Sequence, residues 1–154
     1  MHSTIRMKPG IDYIGVGVGA FIENTEGKIL LALRGVNAKN ERGMWEIPGG
    51  AVEFGETFEE ALNREVYEEL GITIVIGEVL EIVSHILKEE HQHWVSPTYL
   101  CSIAQGIPEV REPEKCDQIG WFSLQETKRM PLSMLTSHDI STLEKRRNAS
   151  GDLI

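Results

Sequence analysis

Cysteine is scarce. Cys101 and Cys116 are the only two in 154 residues, and no C-x-x-C spacing occurs. Two thiols cannot supply the disulfide framework of a small secreted scaffold, so both are expected to be reduced, in a cytoplasmic protein. Long apolar runs are missing as well. Nothing reaches the roughly 18 consecutive apolar residues that a membrane helix needs. Residues 1–10 lack the apolar stretch of a secretory signal and read as a short leader ahead of one domain over 11–150. Proline numbers only 6, and no Gly/Ser/Pro-rich linker divides the chain. Basic residues are in deficit, 15 against 24 acidic, for a formal net charge of -9. That excludes a general nucleic-acid polymer partner, whose phosphates want a basic face. An anionic phosphate substrate stays possible if something cationic stands between it and the protein. A bound divalent metal would do so.

What is present is alternation and punctuation. Residues 13–22 interleave glycine with apolar side chains, as in a strand that another backbone approaches closely. Asn24-Thr25-Glu26-Gly27 is a turn signal, and 28–33 returns as a second strand. The two together predict a hairpin. Residues 35–44 read as a loop, and 45–47 as a short strand stopped by Pro48-Gly49-Gly50. A helix is expected over 57–70, because Thr57 with Glu60 forms a capping box and Gly71 sits at the C-terminal stop. Segments 72–87 and 94–103 are strand-like around a polar turn. A short strand follows at 119–122 and a second helix at 137–147. Strands grouped around two helices predict an α+β fold or an α/β/α sandwich.

The first helix carries the most unusual pattern. At roughly 100° per residue, Glu65 and Glu69 fall about 40° apart, with Glu68 about 60° to the other side. Three carboxylates on one face repel unless a cation binds or water surrounds them. Phe58 and Ala61 project within roughly 40° of Glu65 by the same arithmetic, so the glutamates are expected at the edge of the core, turned toward the sheet. Leu62, Val66 and Leu70 widen the apolar sector. Hard oxygen donors without clustered thiols favour Mg²⁺ or Mn²⁺ over zinc. The competing reading is a glutamate-rich helix that is simply solvated.

The preceding loop adds to this. Gly50, Glu56, Arg64-Glu65-Val66, Glu68-Glu69 and Gly71-Ile72 resemble the Nudix box, G-x5-E-x7-R-E-U-x-E-E-x-G-U, at every specified position and with both intervals the right length. The lead-in from Trp45 to Gly50 and the run from Glu53 to Thr57 look like the MutT-type branch, and the likeness extends from about Ile14 to about Leu124. The resemblance implies a Nudix-type α/β/α sandwich with a central mixed sheet. It also implies hydrolysis of a nucleoside diphosphate linked to another group. In the MutT-like branch that is a nucleoside triphosphate cleaved to monophosphate and pyrophosphate. By the same resemblance, Glu65 and Glu69 would be the principal metal ligands, Glu68 a further ligand or the base that activates water, and Gly49 a carbonyl donor. Gly50 would border the substrate. Glu56 and Arg64 would form a structural ion pair, and Gly71 would close the motif.

Outside the motif, Arg34 at a strand end is a candidate for transition-state charge, although a solvated arginine fits the sequence equally well. Glu114, and less so Glu112, could supply an extra carboxylate from a second loop. His91 and His93 could pair as ligands, but without a third donor they fit strand-end residues better, His93 facing the substrate cleft. Of Trp121 and Phe122, one ring would stack on a base and the other would be core, with Phe122 taken as the substrate-binding one. Trp45 is expected in the core. Two other readings stay open. One is a Nudix hydrolase of ADP-ribose or a dinucleoside polyphosphate, disfavoured because Leu87 or Lys88 stands where ADP-ribose variants tend to carry proline. The other is a non-catalytic nucleotide sensor, disfavoured because every box glutamate is kept. A homodimer is compatible with either.

Overall fold

A computed structural model describes residues 4–151; Met1 to Ser3 of the expected leader lie outside the described residues. Seven strands and three helices follow in the order β1 (Gly15–Ile22), β2 (Ile29–Arg34), β3 (Trp45–Glu46), β4 (Gly49–Ala51), α1 (Phe58–Leu70), β5 (Thr73–Leu87), β6 (Gln92–Gln105), β7 (Cys116–Phe122), α2 (Leu124–Thr127) and α3 (Met134–Ala149). A four-stranded mixed sheet runs β4-β1-β6-β5, with β1 and β6 parallel and the other pairs antiparallel. A smaller antiparallel sheet runs β3-β2-β7. No helix among the described residues is long and apolar enough to cross a membrane.

Period-two alternation sorts the core into two halves. Val18, Ala20 and Ile22 of β1 face Ala61, Leu62, Val66 and Leu70 of α1. Phe21 of the same strand joins Ile29, Leu31, Ile140 and Leu143 on the α3 side. The sheets therefore lie between α1 and α3, and the α/β/α sandwich with a central mixed sheet is what the chain adopts.

Four expectations need correction. First, β1 and β2 do not make a hairpin. The turn forms, with Gly27 N–H donating to Asn24 O at 3.0 Å, but the strands share only the Glu23–Ile29 bridge before entering different sheets. Second, Phe58 does not face the sheet. It opens α1 beyond the covered surface and is 41% exposed. Third, the strand at Trp45–Glu46 stops before Pro48 as expected, but Gly49-Gly50 is itself part of a strand, β4, in register with Gly19 and Val18 of β1. Fourth, the last helix starts three residues earlier than its apolar pattern, because the Ser133 hydroxyl caps it by accepting from Thr136 N–H.

Residues 8–13 turn onto β6. His93 N–H donates to Gly10 O at 2.8 Å, and a Cβ on Gly10 would stand 2.3 Å from the Trp94 ring.

Candidate active site

Helix α1 is held at both ends by the devices its sequence announces. Thr57 Oγ1 accepts from Glu60 N–H at 3.1 Å while Glu60 Oε2 accepts from Thr57 N–H at 3.3 Å. Gly71 adopts φ 72° and donates to Tyr67 O. Burial of Ala61, Leu62, Val66 and Leu70 fixes its rotation, which decides where the three glutamates go. They do not all turn inward. Glu65 has an 18% exposed side chain and packs flat on β4, where a Cβ on Gly50 would lie 2.3 Å from its carboxyl carbon. Only glycine allows that approach. Glu69 is partly buried on the same side. Glu68 keeps half its side chain in solvent, 3.4 Å from Arg64 Nη1.

Arg64 braces the loop between β4 and α1. Its Nε and Nη2 donate to the two oxygens of Glu56 at 2.7 and 2.8 Å, Nη2 also to Ala51 O at 3.1 Å, and Nη1 to Glu65 Oε1 at 3.0 Å. Glu56 accepts from Glu53 N–H in addition. The Arg64 bonds, then this backbone bond, hold the Glu56 carboxyl down at about 2. This loop is locked by satisfied charge.

Glu69 is in the opposite condition. Burial pushes its carboxyl well above the usual range, and the charges of Glu46, Glu65 and Glu112 push it further. Burial also raises Glu65, against the pull of Arg64. Glu46 reaches the site from β3 and Glu112 from the β6–β7 connection. That connection is strapped over the end of α1: Glu109 N–H donates to Leu70 O at 3.1 Å and Arg111 N–H to Glu69 O at 3.0 Å. These bonds use carbonyls that a helix end leaves unpaired, and they set Glu112 beside Glu69. The Arg111 guanidinium lies over Gly71 and the Tyr67 ring, 5.2 Å from its centroid.

Among the described residues, no three His, Cys, Asp or Glu side chains are gathered as a finished metal-ligand set. The donor chemistry nonetheless fits a hard divalent cation. Three carboxylates act on a partly buried Glu69, and negative charge at such density is costly until a cation enters.

The structure distributes the remaining candidates unevenly. Gly49 lies in β4 beside Gly19, where a Cβ would meet Val18 O at 2.2 Å. Arg34 stands next to the carboxylates, but its guanidinium is taken: Nη1 holds both oxygens of Glu46 at 2.9 Å, and Nε and Nη2 bind Asn40. Glu114 is exposed, while its neighbour Glu112 is the one whose charge reaches Glu69. His93 and His91 border a hollow shared with residues 10–14 and 86–88, and none of the carboxylates lines it. Phe122 and Trp121 point to opposite halves of the core. Trp121 packs on the α1 side, and Phe122 on the α3 side with its ring 4.9 Å from that of Trp45, edge to face. Phe122 also walls a second hollow with Ser123, Gln125 and Arg129. Sequence reasoning missed Glu46. It sits two residues before Pro48 in a two-residue strand, and nothing local marks it as facing another carboxylate.

A family model described as the NUDIX domain matches residues 14–143. The CTP pyrophosphohydrolase of Escherichia coli (strain K12) is 34% identical over 119 residues, covering 75% of this chain and 81% of that protein. The ADP-ribose pyrophosphatase of Methanocaldococcus jannaschii is 30% identical over 115 residues, 75% of this chain and 65% of that one. The chain spans 32% of the length of a longer nudix hydrolase from Caenorhabditis elegans. Among solved structures, a MutT NUDIX hydrolase from Burkholderia pseudomallei superposes with a TM-score of 0.77 at 38% identity, over 83% of this chain and 96% of that one.

Proposed function

This chain belongs to the NUDIX family, and from that premise we propose that it hydrolyses a nucleoside triphosphate to monophosphate and pyrophosphate. The cofactor is Mg²⁺, with Mn²⁺ as a substitute. The observation that carries this reading is the partly buried Glu69 carboxylate, within reach of the charges of Glu46, Glu65 and Glu112 and raised well above its ordinary range by burial and those charges. Glu65 and Glu69 would hold the metal, with Glu112 as the extra carboxylate in place of Glu114 and the Gly49 carbonyl beside them. When bound, the metal would neutralise carboxylate and phosphate charge and act as a Lewis acid.

The chain's own groups do the rest. Gly49 and Gly50 let backbone and Glu65 come together without a side chain between them. Arg64 and Glu56 keep the loop from shifting relative to α1. Water adds to a phosphorus of the triphosphate, the anhydride P–O bond breaks, and pyrophosphate leaves. Glu68, half in solvent and attached to Arg64 only at 3.4 Å, would accept the water's proton. Arg34, with its donors occupied, supports Glu46 rather than the phosphates.

Hydrolysis of ADP-ribose is the second reading, favoured by the relative of that activity. Pyrophosphate, orthophosphate and nucleotide products resolved from a panel of nucleoside triphosphates and ADP-ribose with Mg²⁺ separate the two. In that assay Glu69→Gln should lose at least ~100-fold in turnover, the scale of removing one group that stabilises transition-state charge, with the fold kept. Near-parental turnover would remove the assignment. Nucleotide binding with no turnover by the parent would make the protein a sensor.

A further inference from the structure

The geometry points to Lys115 as the side chain that contacts the phosphate chain of the substrate, an inference that rests on the hydrolase reading above. A polyphosphate entering a site built from carboxylates needs N–H donors as well as a metal. Arg64, Arg34 and Lys115 each pair with a carboxylate of this site, and the first two are spent. Every nitrogen of the Arg64 guanidinium is engaged, by Glu56, Glu65 and Ala51 O. Every nitrogen of Arg34 is engaged, by Glu46 and Asn40.

Lys115 differs. Its ammonium has three donors, and one long contact of 3.4 Å to Glu112 Oε2 uses at most one of them. Its side chain is 71% exposed, so its tip is free to move. Its root is not. Lys115 N–H donates to Glu112 O at 2.9 Å, and its carbonyl accepts from Gly35 N–H at 3.0 Å, tying the residue to the end of β2. The ammonium also stands beside the site, because it pairs with Glu112 on a connection docked to the end of α1 through the Glu109 and Arg111 N–H groups. A cation anchored at its base, loose at its head and standing beside Glu112 is placed to meet a bound phosphate. An ordinary surface ion pair with Glu112 is the competing account, and such pairs contribute little.

The two accounts differ in sign when metal and anion are titrated separately. Calorimetry would measure binding of Mg²⁺ alone, and of inorganic pyrophosphate in the presence of Mg²⁺, to the full chain and to Lys115→Ala and Lys115→Arg. If Lys115 holds phosphate, Lys115→Ala weakens pyrophosphate binding about tenfold or more, the scale of a charge-assisted hydrogen bond, and Lys115→Arg keeps most of it. Affinity for Mg²⁺ alone stays level or rises, since a positive charge beside the carboxylates has gone. Unchanged pyrophosphate binding in Lys115→Ala overturns the inference. So does parallel loss of both ligands, which would mean that the loop carrying Glu112 had moved. If the parent hydrolyses nucleotides while either of those results holds, only Lys115 falls. A parent that neither binds pyrophosphate nor turns over any nucleotide removes the hydrolase reading and Lys115 with it.

Discussion

Glu56 and Glu69 carry the same side chain thirteen positions apart and are held in opposite electrostatic states. Glu56 meets Arg64 on both oxygens and is pinned near 2; Glu69 is partly buried within reach of other carboxylates' charges and raised. A third acid, Asp139 of α3, is completely buried and has no part in the site. One of its oxygens accepts from Thr98 Oγ1 at 2.9 Å. Burial, then a hydrogen bond to Glu81, pushes its carboxyl up to about 8. Asp139 therefore keeps its proton and donates a hydrogen bond to Glu81, whose charge His138 Nδ1 at 2.6 Å and Thr142 Oγ1 at 2.5 Å also face. The sign follows from linkage. A carboxyl whose folded value lies above its unfolded value of 3.8 contributes stability below about pH 4, and that stability drains away as pH climbs toward 8. Asp139→Asn keeps the donor to Glu81 and the acceptor for Thr98 without the titration. Thermal melts should match the parent near pH 4 and exceed it increasingly up to pH 8, by ~2–4 °C for each kcal/mol recovered. A difference that is flat with pH would mean that Asp139 does not hold a proton.

At the scale of elements, α1 was the most legible part of the chain, because its signals are local. Thr57, Glu60 and Gly71 act within a few residues of themselves, and all three make the predicted bonds. Removing the cap tests how much this matters: Thr57→Ala should cost about 1 kcal/mol, a fall of ~2–4 °C in melting temperature. A melting temperature equal to the parent's would show that tertiary packing alone holds the helix. The strands were harder, for a physical reason. A turn signal such as 24–27 shows that the chain reverses, but strand partners are chosen by packing across the sheet, and β1 found β4 and β6 while β2 found β3 and β7. Gly49-Gly50-Ala51 has almost no side chain from which to read a strand, and it pairs through its backbone alone. Phe58 misled because the helical angle gives a direction but not whether a surface lies there to be covered.

The site as a whole is a long-range object. In the proposed site Glu65 and Glu69 come from α1, Glu46 from β3, and Glu112 and the inferred Lys115 from the β6–β7 connection. The motif exposed the first two; the others needed the fold to bring distant segments within reach of Glu69. Proposing Glu112 over Glu114 rests on the docking of residues 109 and 111 on the helix end, which no spacing within that loop reveals. The net charge of -9 gains local meaning here, since part of the excess is concentrated around a single partly buried carboxylate. The most direct test of that account is Mn²⁺ binding, followed by loss of the free-ion paramagnetic resonance signal, in the parent and in the double variant Glu65→Gln/Glu69→Gln. The parent should take up the ion, and the folded double variant should lose that affinity by at least ~100-fold, as expected when two charged ligands become neutral. Equal uptake by both would contradict a metal site built on α1.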